Sequence, residues 1–356
     1  MTSAVILAQS ASANTTVNFK NRLINGDFEI WQRGTAQTFI TAGVYLADRW
    51  TCIGFQQARH QRVSVTSPVV GMTARFAMRV SSSPNSDNGS GGTRMDLGQK
   101  IENINSYDLA GQVVTYSFWI RFSAATVTSV ANATQSAYGN FNSYLTASTT
   151  NTDAATSTDS IASTFALNSI TQGNLPTTWT KITASGTVPA GANNVGLRLQ
   201  FGSLGSTTNP GDAWYEVTEL QVEKGSLATA FDYRPYPLEL LLCQRYCVVI
   251  GPTIGPQNYS DNYFRFATVA VGESGGSATT IFQYPVLMRA TPSFSATGAF
   301  QLYDGSFYTV TSVTYASFGP FNACITYQAS GLTNGRAYHP LAGNNQTARQ
   351  VFSAEL

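Results

Sequence analysis

Hydrophobic and polar positions alternate in short runs along most of this chain. VVTYSFWIRF (113–122), NVGLRLQFG (194–202), AWYEVTELQVE (213–223), YFRFATVAVG (263–272) and ATTIFQYPV (278–286) each read as a β-strand rich in β-branched and aromatic residues. Turn sequences punctuate them at NPGD (209–212), ESGG (273–276), YDGS (303–306) and TNGR (333–336), where Gly or Asn supplies positive φ. Many short strands with frequent turns predict sheets packed as sandwiches or barrels. One segment breaks the period. In PYPLELLLCQRYC (235–247), Pro237 suits a first helical position, and Leu238, Leu241, Leu242 and Arg245 recur at helical spacing.

That helix lies between two β-rich stretches, and 356 residues exceed the roughly 250–300 at which a single core stops growing. The expected layout is all-β: a flexible N-terminal arm over 1–19, a sandwich over 20–234, a helical connector over 235–247 and a C-terminal β-sandwich over 248–356. The opening MTSAVILAQSASANTT has no positive region ahead of its apolar residues and reads as an arm, not a signal peptide.

Composition narrows the function classes. Charged residues are 11% of the chain, against roughly 25% in an average soluble domain. Twenty basic residues balance 19 acidic ones with no basic run, so no nucleic-acid partner is expected. The 16 Arg against 4 Lys favour planar hydrogen bonding. No apolar stretch reaches membrane-spanning length, and no membrane insertion is expected. Cys52, Cys243, Cys247 and Cys324 lack metal-binding spacing; Cys243 and Cys247, four apart, should share a helix face as small buried hydrophobes.

Two regions stand out. Residues 123–160 hold 7 Ser and 9 Thr, with Asp153 and Asp159 their only charges, and read as a long polar surface segment. Residues 246–356 hold 9 Tyr and 9 Phe but no Lys, more rings than a domain of that size can bury, so several should lie on the surface or in an interface. Such a Tyr-rich, Lys-poor surface suits self-association.

In NRLINGDFEIWQRG (21–34), alternation would put Asp27, Glu29 and Trp31 on one face of a strand and Phe28 and Ile30 on the other, with Asn25-Gly26 as the turn into it. With ADRW (47–50), it resembles the opening strand of the jelly-roll sandwiches of carbohydrate-binding modules. Together with QVEKGSLATAFDYRP (221–235), LCQRY (242–246) and PVLMRATPSFS (285–295), it resembles the tail-fibre and related virion structural proteins of tailed bacteriophages. The resemblance implies an N-terminal jelly roll, an arm docking on other virion proteins, a homotrimer, assembly in the host cytoplasm for a place in the phage tail, and no catalytic residues.

Similar jelly rolls can carry a structural calcium, held by six to eight oxygens. The matching candidates are Glu29 with Glu219 or Glu216, and Asp27 in reserve; the competing expectation is that these carboxylates pair with Arg22, Arg33 or Arg49. A glycan site needs exposed rings beside polar side chains. The loop aromatics Tyr138, Tyr144, Tyr259, Tyr263 and Tyr338 are its candidates, while most of Trp31, Trp50, Trp119, Trp179 and Trp214 are expected in the core. His60 and His339, the two histidines, carry no adjacent nucleophile pattern, and no hydrolase motif is present. The expected function is noncatalytic: a tail fibre attaching to host-surface glycan. The alternative is a capsid decoration or head-fibre protein with a purely architectural role.

Overall fold

Every second residue of VVTYSFWIRF (Val114, Tyr116, Phe118, Ile120 and Phe122) turns to one side and is buried, as a strand period of two requires. The computed structural model describes residues 20–40, 43–45, 47–52, 58–82, 96–124, 126, 140–149, 163–201, 214–254, 257–258, 263–267, 269–273, 275–317 and 319–355. The expected arm, residue 125 and the stretches 127–139 and 150–160 of the Ser/Thr-rich island, the NPGD turn and the candidates Tyr138 and Tyr259 lie outside the described residues.

The first unit contains β1 (Ala36–Ile40), β2 (Ala58–Ser64), β3 (Phe76–Ser82), β4 (Leu97–Lys100), β5 (Val113–Phe122), β6 (Phe141–Ser148), β7 (Ser163–Ile170), β8 (Thr180–Thr187), β9 (Asn194–Phe201) and β10 (Trp214–Lys224). They form a six-stranded sheet, β1-β2-β3-β10-β5-β8, and a four-stranded sheet, β4-β9-β6-β7, with antiparallel pairing. The core is sealed between the sheets by rings: Phe122 and Tyr215 from one meet Phe141 and Phe201 from the other, at centroid separations of 5.3 to 6.0 Å. This is the all-β sandwich that the alternation predicts.

Helix α1 (Tyr236–Gln244) follows, with Pro237 in its first turn. Its buried side chains are Glu239 and Cys243; of the expected leucine stripe Leu241 is exposed, and Leu242 packs half-buried against the cluster of Ile24, Ile30, Cys243 and Tyr246. Cys243 and Cys247 are both buried, but Cys247 already belongs to the next strand.

The second unit contains β11 (Cys247–Ile250), β12 (Thr253–Ile254), β13 (Gln257–Asn258), β14 (Ala270–Glu273), β15 (Ser277–Gln283), β16 (Ser293–Thr297), β17 (Phe300–Tyr303), β18 (Phe307–Thr309), β19 (Ser312–Ser317), β20 (Asn322–Gln328), β21 (Ala337–Ala342) and β22 (Arg349–Ser353). A seven-stranded sheet, β18-β17-β21-β14-β15-β20-β19, and a three-stranded sheet, β11-β22-β16, enclose a second core; β12 and β13 form a separate hairpin. Rings dominate here too, with Phe352 stacked on Phe282 at 5.2 Å and tilted against Phe294 at 5.1 Å. The ESGG, YDGS and TNGR turns fall where predicted, and Gly275, Gly276, Gly305 and Gly335 all adopt positive φ. Only the end of the expected strand 263–272 is regular, as β14.

Candidate functional site

The motif 21–34 is not a strand. Asn25 and Phe28 have φ of 59° and 56°, which breaks the extended chain, and Phe28, Ile30 and Trp31 are all buried regardless of parity. Side chains satisfy its backbone in place of a sheet ladder. Asn25 Nδ2 donates to Ile30 O at 2.8 Å and Asp48 O at 3.0 Å, and Asn25 Oδ1 accepts from Ile30 N at 2.9 Å. Gln99 holds Ile24 through both its amide ends at 2.7 Å, and Trp50 Nε1 donates to Asn25 O at 2.8 Å. At Gly26 a Cβ would lie 2.2 Å from Leu220 O, so only glycine permits this approach.

The other family-like segments converge on the same place. Arg234 of FDYRP donates to Asn21 O, to Leu23 O at 3.0 Å, and pairs with Glu239 of α1 at 3.2 Å; Glu239 also accepts from Asn25 N. Arg49 of ADRW pairs with Glu355, donates to Lys100 O at 2.8 Å and stacks 3.6 Å from the Tyr246 ring of LCQRY. Asp48 accepts from Gln32 N and Nε2 at 2.7 and 2.8 Å, and Gln32 Nε2 also reaches Cys247 O at 2.8 Å. Arg33 pairs with Glu355 at 3.0 Å, and Glu102 takes Arg245 at 2.8 Å and the Tyr246 hydroxyl at 2.8 Å. The quoted motifs therefore build a joint between the two sandwiches. Burial lifts the Asp48 carboxyl to about 6 against the opposing pull of Arg33. Burial, then Glu239 and Glu29, lift Asp27 to about 7.

The calcium candidates are engaged otherwise. Glu29 receives Arg75 Nε and Nη2 at 2.9 Å each, so its cation is not Arg22, Arg33 or Arg49. Glu219, at a φ of 53°, accepts from Thr73 N, from Ala74 N at 2.8 Å and from Trp119 Nε1 at 3.1 Å. Glu216 receives Arg79 Nε and Arg121 Nε at 2.8 and 2.7 Å. Among the described residues no group of three or more Asp, Glu, His or Cys is placed to hold a metal. As arranged, these carboxylates do not fit a calcium ion, because guanidinium and amide donors take the oxygens that coordination requires.

Trp31, Trp50 and Trp179 are buried, but Trp119 and Trp214 lie on the outward face of the six-stranded sheet, out of phase with the core residues on either side. Arg79 lies 4.4 Å from the Trp214 ring and Arg121 4.7 Å from the Trp179 ring, while Thr66 O accepts from Trp179 Nε1 at 3.0 Å. This aromatic face is therefore closed on itself by the chain segment between β2 and β3.

The outward face of the four-stranded sheet is different. Tyr144 on β6 lies between Arg198 of β9 and Leu167 of β7, which is 60% exposed. The Arg198 guanidinium is 6.0 Å from the ring and pairs with Asp96 at 2.8 Å. Asn142, opposite Gln200 and Ser169, continues the row and accepts from the Ser169 hydroxyl at 2.8 Å. Gly98 lies opposite Arg198 and Gly196 opposite Thr146, so neither of these positions adds a side chain to the face. A half-buried phenol ring, a guanidinium held by Asp96 and two amides form a surface able to stack a sugar's C–H face and bond its hydroxyls.

Of the remaining candidates, Tyr263 is exposed and its ring lies 5.6 Å from that of Phe307, which lies 4.8 Å from Tyr303. Tyr338 is not a loop residue. It is fully buried on β21, where its hydroxyl accepts from Thr333 N at 2.8 Å. Sequence reasoning missed Arg198, Asn142 and Gln200; their signal was the outward parity of β6 and β9, readable once register is known.

Neither a protein-family model nor a curated protein sequence matches the chain. Among solved structures it is similar to the CBM22-2 xylan-binding domain of Paenibacillus barcinonensis Xyn10C, at 17% identity over 53% of this chain and 99% of that one, with a TM-score of 0.28. It is similar to TmCBM61, solved in complex with β-1,4-galactotriose, at 9% identity over 58% and 99%, TM-score 0.30. It is also similar to the enzymatically active domain of bacteriophage CBA120 tailspike protein 4, at 11% identity over 58% of this chain, TM-score 0.33; the chain spans 22% of that protein's length. It likewise spans 31% of an arabinose-bound α-L-arabinofuranosidase, at 14% identity over 65% of this chain and a TM-score of 0.34.

Proposed function

We propose that this chain is a noncatalytic bacteriophage tail-fibre protein that holds host-surface glycan on the open face of the four-stranded sheet. The supporting observation is the placement of Tyr144: outward, between Arg198 and Leu167, with Asn142 and Gln200 in the adjoining row. The chemistry is attachment. Each contact is weak, and several copies on one fibre add through effective concentration. The test is a host-cell pull-down and glycan array with purified protein. Binding that falls about tenfold or more in Tyr144→Ala is expected, since stacking contacts are worth ~1–3 kcal/mol; an intact chain that binds no cell and no glycan overturns the proposal. Labelled antibody over the capsid would reject the tail location, and new reducing ends from host polysaccharide would reject a noncatalytic role.

One observation favours the architectural alternative. Across β14, β15, β20 and β19 the only charged side chain is Glu273. The outward row Val271–Thr279–Thr326–Thr314, beside the exposed Ile281, is neutral and costs little to desolvate. This face suits contact with sister copies in a homotrimer or with other virion proteins. Sedimentation should give a trimer mass, and Ile281→Arg should lower it; a monomer in both removes the self-association reading.

A further inference from the structure

Arg62 on β2 and Arg75, just ahead of β3, bracket the ring of Phe76, with guanidinium carbons 4.5 and 5.5 Å from its centroid. Their charges are met differently. Arg75 gives two hydrogen bonds to Glu29, yet its side chain remains 70% exposed. Arg62 Nη1 is buried and donates to no acceptor, and among the described residues no carboxylate forms an ion pair with Arg62. A buried charged donor without an acceptor is costly, and its natural complement is an anion from outside the chain.

The surroundings select the anion. Glu29 is taken up by Arg75 and Glu239 by Arg234, which leaves Arg62 as the unpaired guanidinium of the group. The positive excess calls for one negative group. Tyr236, half-buried, lies within electrostatic reach of Arg62, and Tyr233, 58% exposed, lies within reach of Arg75. Exposed phenol beside paired guanidiniums suits a sugar unit carrying an oxyanion, since the ring takes the C–H face and the forks take the charge.

We propose that Arg62, Arg75 and Tyr233 form an acidic-sugar site, in which the carboxylate or phosphate of a sugar unit is received by Arg62 Nη1 and Arg75 and its ring lies against Tyr233. This rests on the glycan-attachment reading but places its anionic specificity on a different face from Tyr144.

The test is calorimetric titration of the intact chain with trigalacturonate, galactotriose, galactose 6-phosphate and inorganic phosphate. Trigalacturonate or galactose 6-phosphate should bind more tightly than galactotriose, weaken with salt, and lose about tenfold or more in Arg62→Gln and Tyr233→Ala, with Arg62→Lys intermediate. Whichever of the two acidic probes depends on Arg62 identifies the anion as carboxylate or phosphate ester. Unchanged melting curves establish that the variants fold. Equal binding of trigalacturonate, galactose 6-phosphate and galactotriose, or no effect of Arg62→Gln on either acidic probe, overturns the proposal. So does inorganic phosphate binding as tightly as the sugar acids, which would mean an adventitious ion only. If Tyr144→Ala abolishes glycan binding and Arg62→Gln does nothing, the attachment reading stands and this inference falls; the opposite pattern keeps this site and removes the Tyr144 platform.

Discussion

Asn25 shows how one side chain can replace a strand's ladder. Its amide closes three buried hydrogen bonds to Ile30 and Asp48, and its φ of 59° is one that asparagine tolerates better than most residues. Asn25→Ala should cost about 3 kcal/mol, read by urea unfolding, because buried partners are left unsatisfied. Asp27 and His60 set opposing pH trends. Asp27 is raised from 3.8 to about 7 by burial and neighbouring carboxylates, so its proton is bound more tightly in the folded state. Its contribution is fully present below pH 3.8 and fades as pH rises through 7. Asp27→Asn should therefore raise Tm at pH 8 relative to the parent and lose that advantage by pH 4. His60, buried with both ring nitrogens unbonded, is lowered from 6.5 to about 4 by desolvation. Its stability is present above pH 6.5 and is lost as pH falls through 4. His60→Gln should flatten that acid limb in thermal melts recorded between pH 7 and 4.

At the scale of elements, legibility followed period. β5, β9 and β10 match their predicted runs to within a residue, although β10 is buried on both faces along most of its length. The segment 21–34 has the same apparent alternation but is buried all round and bonded by Asn25, Gln99 and Asp48, so parity carried no information there. Trp119 was misplaced for a related reason: it is the one ring on the outward row Ser117–Trp119–Arg121 of SFWIRF, while Phe118, Ile120 and Phe122 turn inward. In α1 the packed face includes Glu239, because Arg234 and Asn25 supply its partners from distant sequence. Tyr144 was visible as an aromatic in a polar island, whereas its partners on β9 needed register. Within the first sandwich, Phe141 touches Phe118, Phe122, Phe201 and Tyr215. Phe141→Ala should cost about 3–5 kcal/mol in chemical denaturation, as a large cavity would open between the sheets.

The whole molecule depends on its joint. Arg49 and Glu355 are both buried, and Arg33 shares the same carboxylate. Removing one partner of such a pair leaves charge without compensation, so Glu355→Ala should cost about 3–5 kcal/mol. Calorimetry should show one melting transition in the parent and two in the variant, as the sandwiches come apart before each unfolds; a single unshifted transition would mean that the joint does not couple them.

Arg49 and Glu355 are 306 residues apart. A nascent chain must hold its first sandwich ready, with Arg33 and Arg49 uncovered, until the segment that carries Glu355 has been made. Products of premature termination lack the carboxylate that neutralises this cationic seam. They would leave synthesis with a sticky, half-finished surface.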